Sequence, residues 1–220
     1  MLGAPGSGKG TVGGLLSKKF EISHISSGEI FRSYVKKHDT LGEEIEKYIS
    51  KGLLVPDELA IKIVEKRLSE PDVKNGLILD GYPRTKEQGI ELDQRLSNIN
   101  KPINIAINLV VSDDEIISRI VNRRSCPNIS CREIYNLEFK KPIIENICDK
   151  CGSELEKRID DNEKTVKQRL ETYHESSKEL LEYYKEKDIL YSAKLNLHSG
   201  ETAENVAEEI KNYLNKEGKN

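Results

Sequence analysis

Nine residues near the start of the chain, Gly3-Ala4-Pro5-Gly6-Ser7-Gly8-Lys9-Gly10-Thr11, have the makings of a loop that holds a phosphate. The glycines let the backbone curl until several N–H groups point at one anion, and a helix starting near Lys9 adds its positive end. The Lys9 ammonium then reaches the outer phosphates of a polyphosphate chain. The general pattern sets Ser or Thr directly after the lysine, whereas here Gly10 stands there and Thr11 follows. Further along come Arg32, Arg84, Arg119, Arg123, Arg158 and Arg169. A guanidinium makes two-pronged contacts with phosphate oxygens, although each arginine taken alone reads first as a surface ion pair.

A second chemistry is written in the cysteines. Cys126-Pro127-Asn128-Ile129-Ser130-Cys131 and Cys148-Asp149-Lys150-Cys151 form two knuckles separated by a β-like stretch. Four thiolates at this spacing satisfy tetrahedral Zn²⁺ with no open position, so such a site is structural rather than catalytic. Free buried thiols, a redox disulfide pair and an iron site are the alternatives. Zinc would fold a segment too small to make its own core.

The elements that must carry these residues alternate in the manner of a parallel sheet wrapped by helices. Strands are expected at Ile22 to Ile25, Leu77 to Leu79, Ile105 to Val111 and around Ile189 to Leu197. Ser112 opens a helix as a capping side chain, followed by an acidic first turn and the apolar stripe Ile116, Ile117, Ile120, Val121. Arg119 and Arg123, four apart, fall on one face of that helix and can converge on one phosphate chain. Two more helices carry Val166, Leu170, Tyr173 and then Val206, Ile210, Leu214. Residues 26–55 and 123–159 interrupt the rhythm, the first helical and polar, the second holding all four cysteines.

Bulk properties set the outer limits. The chain has 220 residues, enough for one α/β domain with insertions or for two small domains. Charged residues make up 33%, but the signs nearly cancel at a net charge of -3, which argues against a general nucleic-acid or membrane-surface binder. No apolar run approaches the roughly 20 residues of a membrane span, and no signal peptide is recognisable, so a cytoplasmic location is expected. Thiols there stay reduced, which favours a metal over disulfides.

The loop, written GxPGxGKGT, resembles that of nucleoside monophosphate kinases. Ile25-Ser26-Ser27-Gly28-Glu29-Ile30-Phe31-Arg32, Asp80-Gly81-Tyr82-Pro83-Arg84-Thr85 with Gln88, and Arg158-Ile159-Asp160-Asp161-Asn162-Glu163 resemble segments of the adenylate kinase family. The resemblance runs from Gly3 to the last helix. It implies a core of residues 1–25, 56–122 and 160–220, an AMP-binding region of 26–55 and a zinc lid of 123–159. It implies the reaction ATP·Mg + AMP ⇌ 2 ADP, run by a monomer in adenine nucleotide homeostasis.

Residue by residue, ATP is then held by Gly6, Ser7, Gly8, Lys9, Gly10 and Thr11, with Arg119 and Arg123. Ile134 and Tyr135 match the place where the lid contacts ATP by backbone and stacking. Thr202, after Gly200, lies near where relatives contact adenine. On the acceptor side stand Ser27, Arg32, Gly81, Tyr82, Pro83 and Arg84, with Arg158 and Arg169. Leu53, Leu54 and Val55 offer apolar contact and carbonyls, and Gln88 meets the adenine edge. Lys9, Arg84, Arg123, Arg158 and Arg169 follow the transferring group. Asp80 ends an apolar run, where a carboxylate needs a partner; the resemblance makes that partner the water shell of nucleotide-bound Mg²⁺. No catalytic base is needed, because the acceptor is already a phosphate oxygen. Hence His24, His38, His174 and His198 are expected to be structural or surface residues.

Two features depart from the pattern. Relatives carry about four more residues before Leu2, so the first, central strand is expected to be truncated, through a start placed downstream of the true one. Gly13-Gly14 lie in the first turns of the helix after the loop, where each costs roughly 1 kcal/mol relative to alanine. The first pair of cysteines also brackets four residues where many lids of this family have two. The competing functions are another nucleoside monophosphate kinase acting on UMP/CMP or GMP, a catalytically weakened relative, and a zinc-ribbon module binding nucleic acid. Acidic residues such as Glu133, Glu138 and Glu145 dilute the charge that the last would need.

Overall fold

The structure, a computed structural model, describes residues 1–195 and 202–218. Strand β4 (Ala106–Val110) forms its spine, with the first four of its five residues buried as a central parallel strand requires. It pairs in parallel with β1 (Leu2–Gly3) on one side and β7 (Leu190–Lys194) on the other, setting Leu2 opposite Asn108 and Gly3 opposite Leu109. Residues 196 and 197 of the expected last strand, with His198 and Gly200, lie outside the described residues. Strands β2 (Ser23–Ser26) and β3 (Leu77–Asp80) form a second parallel pair. The three-stranded and two-stranded groups meet at Met1, whose amino group donates to Leu79 O at 2.6 Å while its carbonyl accepts from Gly81 N. The first strand is thus two residues long, and its short reach splits the ladder in two.

Helices cover both faces. On one, α1 (Lys9–Phe20) and α8 (Ala203–Glu217) bury Val12, Leu16, Val206 and Ile210 against Ile107 and Leu109. On the other, α6 (Asp113–Val121) and the long α7 (Glu163–Glu186) bury Ile116, Ile120, Val166 and Leu170, and further along Leu180 and Tyr184 under Leu2 and Ala106. Each such aliphatic side chain stabilises the fold by about 1.5–3 kcal/mol. Asn162 starts α7 by accepting from Thr165 N, so the helix begins directly after the Asp160-Asp161 pair. Among the described residues no helix is long and apolar enough to cross a membrane.

The first excursion holds α2 (Ser27–Val35) and α3 (Thr40–Ile49), packed through Phe31 and Ile45 on α4 (Asp57–Leu68) and α5 (Lys86–Asn98). The second pairs β5 (Arg123–Ser125) antiparallel with β6 (Ile134–Asn136). Its interior is only Cys126, Tyr135, Cys148 and Leu155.

Three expectations need correction. Ser112 occupies the N-cap of α6, but its side chain makes no capping bond, leaving the acidic first turn to stabilise that end. Arg123 does not share a helix face with Arg119: α6 ends at Val121 and the chain turns at Asn122 into β5. Of the glycine pair in α1, Gly13 alone has a packing reason. A Cβ on Gly13 would come 2.9 Å from His24 Nε2, whereas one on Gly14 would sit 3.8 Å from the ring, an ordinary contact.

Gly14→Ala is therefore expected to raise stability by about 1 kcal/mol through helix propensity, while Gly13→Ala gives no such gain because the imidazole must move. Urea unfolding midpoints of the two variants check this, and an equal rise in both would refute the packing account.

Candidate active site

The loop between β1 and α1 turns on glycine where the backbone requires it. Gly8 has φ 90° at the N-cap of α1, and a Cβ on Gly6 would strike Ile120 at 2.6 Å. Ser7 is fully buried, its N–H bonded to Ala4 O and its hydroxyl without a partner among the described residues. Lys9 Nζ donates back to Ala4 O at 3.0 Å. A Cβ on Gly10 would lie 3.1 Å from Asp80 Oδ2, which explains glycine directly after the lysine. Thr11 sits exposed on the first turn.

Half-buried cations converge on this loop from every part of the fold: Lys9 from α1, Arg32 from α2, Arg84 from the turn after β3, Arg123 from β5, Arg158 from the hinge and Arg169 from α7. Burial lowers the Lys9 pKa to about 8; Asp80 opposes the shift, and Arg84, Arg169 and Arg123 add to it. Burial and Arg169 bring Arg84 to about 10, and burial with Arg123 and Arg32 brings Arg158 to about 9. Arg32 and Arg169 are lowered for the same reasons, burial first. Three buried carboxylates face these six cations: Asp80, Asp160 and Asp161. Asp161 takes both prongs of Arg123, at 2.8 and 2.5 Å, and Asp160 accepts from Arg169 at 2.7 Å. Arg84 Nε donates to Gly81 O and Arg158 Nε to Ser125 Oγ. The cluster has a surplus of positive charge shaped around open space, which is a site for a polyanion.

Burial pushes the Asp80 carboxyl up, yet the facing His24 and Lys9 carry it down to about 2. His24 Nε2 stands 3.8 Å from Asp80 Oδ2, and Asp80 Oδ1 is buried with no protein partner among the described residues.

Beside the cations lies a cleft of about 600 Å³, open to solvent and lined by Arg32, Leu53, Leu54, Val55, Arg84 and Gln88. Tyr82 is buried in its wall with Pro83 buried beside it in the chain, and Ser27 Oγ donates to Gly81 O at 2.6 Å, tying α2 to the end of β3. Gln88, only 2% exposed, has its Oε1 on Arg84 N and its Nε2 on Asp57 Oδ1, both at 2.8 Å.

Some expected contacts look different in three dimensions. Arg119 is buried beside Gly8 and pairs with Glu115 at 2.5 Å. Ile134 is half-buried on β6. Tyr135 is not available to stack on a ligand: its ring fills the lid interior, and its hydroxyl accepts from Asp149 N at 2.8 Å and meets Cys148 Sγ. Thr202 caps α8, with its N–H and hydroxyl both turned onto Asn205.

The four cysteine Sγ atoms lie within 4.8 Å of one another, with Cys126–Cys151 at 3.4 Å and Cys131–Cys148 at 3.6 Å. A tetrahedron of sulfurs at zinc bond length has edges of about 3.8 Å, so the donor set fits. The longer first knuckle closes because Asn128 O accepts from both Cys131 N and Arg132 N, and Asn128 Oδ1 from Ser130 N. The cysteine segment also reaches the first excursion, through Arg132–Glu29 at 2.5 Å and Glu156–Lys36 at 3.4 Å.

Sequence reasoning missed His24, Asp57 and Glu29 as neighbours of the site. Pro56-Asp57 reads only as a helix start, and nothing local links Glu29 to Arg132 a hundred residues away. The one signal was the glycine pair in α1, which marks a close approach by another side chain.

The adenylate kinase family model matches residues 1–189. An adenylate kinase of Acetivibrio thermocellus is 46% identical over 97% of this chain and 96% of its own length. That of Archaeoglobus fulgidus is 43% identical over 98% and 96%, and that of Thermoanaerobacter sp. 42% over 100% and 98%. With likeness of this depth along nearly the whole chain, and the phosphate loop, arginines and cysteines assembled as described, the protein belongs to the adenylate kinase family.

Proposed function

We propose that the chain catalyses ATP·Mg + AMP ⇌ 2 ADP, acting as a monomer in the cytoplasm, where four free thiols remain reduced. The observation that carries this reading is the surplus of cations around Lys9 beside a cleft of mixed apolar and amide lining. The loop N–H groups, Lys9 and Arg119 hold the ATP phosphates, with Thr11 at their edge. Arg32 and Arg84 hold the AMP phosphate in two-pronged contacts. The base lies between Leu53, Leu54 and Val55, with Gln88 on its edge, and Ser27 and Gly81 shape the turn beneath. Arg123, Arg158 and Arg169 neutralise the charge that spreads over the transferring group. Asp160 and Asp161 hold two of these arginines in place, and a lid seated over the site excludes water that would otherwise take the phosphoryl group.

Bound Mg²⁺ would neutralise charge on the ATP phosphates, and Asp80, whose Oδ1 has no protein partner among the described residues, would help hold it through its water shell. Cys126, Cys131, Cys148 and Cys151 would hold a structural Zn²⁺.

With ATP as donor, AMP is expected to exceed GMP, UMP and CMP in kcat/KM by tenfold or more. A GMP or UMP preference of that size in a coupled assay would overturn the choice of acceptor. Protein purified without added metal should contain about one zinc, and its chelation should lower thermal stability while far-UV circular dichroism retains the core helices. Less than about half an equivalent by elemental analysis would rule zinc out. A polyphosphate restores the charged form of Lys9, whose free pKa is about 8. ATP binding should therefore take up more than about half a proton at pH 8.5 and much less at pH 7, with affinity declining above pH 8. Calorimetry in buffers of different ionisation enthalpy reads that uptake.

A further inference from the structure

The amide of Gln88 is held between two partners of fixed and opposite polarity. Arg84 N is a backbone N–H and can only donate, and it reaches Gln88 Oε1 at 2.8 Å. The Asp57 carboxylate can only accept, and its Oδ1 lies 2.8 Å from Gln88 Nε2. Asp57 is itself anchored at its other oxygen, since Thr85 Oγ1 donates to Oδ2 at 2.8 Å while capping Gln88 N at 3.2 Å. An amide turned end for end would set Gln88 Oε1 against the carboxylate and its NH₂ against an N–H. Both bonds would become repulsive contacts in a place where the side chain is 2% exposed.

One lone pair on Oε1 and one hydrogen on Nε2 remain uncommitted, in that order and no other. Adenine suits this arrangement on either of its edges, because its 6-amino group donates and the ring nitrogen beside it accepts. A 6-oxopurine presents a carbonyl at the same position and meets Oε1 with like polarity. We infer that Asp57 is a positioning residue for base choice: by fixing the sense of the Gln88 amide it makes the acceptor site select 6-amino over 6-oxo purine monophosphates. The inference rests on the proposed reading of Gln88 as the group that meets the base.

The bland alternative is that Asp57, the first residue of α4, only stabilises that helix end. The test separates the two by the ratio of kcat/KM for AMP to that for inosine monophosphate. These nucleotides differ at position 6 and the adjoining N1 proton, without the added 2-amino group of GMP. Asp57→Asn and Asp57→Ser each replace a group that can only accept by one that can donate as well, so the repulsion at Nε2's partner is lost and the Arg84 N–H alone is left to set the sense of the amide. Each variant, confirmed folded by circular dichroism, is expected to lower the AMP:IMP ratio by about tenfold or more. Gln88→Ala should lower it as well. If Gln88→Ala leaves the ratio unchanged, the assignment of Gln88 to the base is wrong. If Gln88→Ala collapses the ratio but both Asp57 variants keep it within about twofold while lowering Tm, Asp57 is a helix-end residue and the inference fails.

Discussion

Six cations, Lys9 and the five arginines around it, stand half out of water, and three buried carboxylates face them. Withdrawing a cation from water costs on the order of several kcal/mol unless a partner compensates it. Here the compensation is partial by construction: Asp160 and Asp161 orient Arg169 and Arg123, and Asp80 faces Lys9. The remaining charge awaits a phosphate chain. Folding therefore stores, in the apolar faces that hold α1, α6 and α7 on β4, the stability needed to keep like charges together. A preorganised field of this kind acts on developing charge without rearranging at the moment of reaction.

The lid shows the same economy of parts. Its four-residue interior is too small to order the segment, and two of those residues are cysteines. Tyr135 is the filler between the two cysteine knuckles, buried with its hydroxyl on Asp149 N, rather than a platform for a nucleotide base. The ion pairs Arg132–Glu29 and Lys36–Glu156 that seat the lid on α2 are exposed and individually weak, of about 0–1 kcal/mol.

Around Asp80 a chain of close approaches links apparent oddities of sequence. Gly13 makes room for His24, His24 faces Asp80, and Gly10 leaves space for the Asp80 carboxylate. The helix propensity lost at Gly13 is the consequence of bringing an imidazole and a carboxylate to the mouth of the phosphate loop. Gly14 touches nothing closely and has no such justification.

The sequence by itself determined the glycine-rich loop with Lys9, the alternation of strands and helices, the two cysteine knuckles and, through segments that resemble a family, the arginines that gather around the loop. All are set by local spacing, by period or by motifs whose members adjoin in the chain. Tertiary structure alone decided which partner each charged or polar group would take. Arg123 left the helix face it was expected to share with Arg119 because α6 stops at Val121. Tyr135 turned inward because a small lid needs a core. Asp57 met Gln88 across 31 positions, and Glu29 met Arg132 across 103. A hydrogen bond depends on atoms within about 3 Å, and no periodicity in a chain encodes which distant segments fold to that distance.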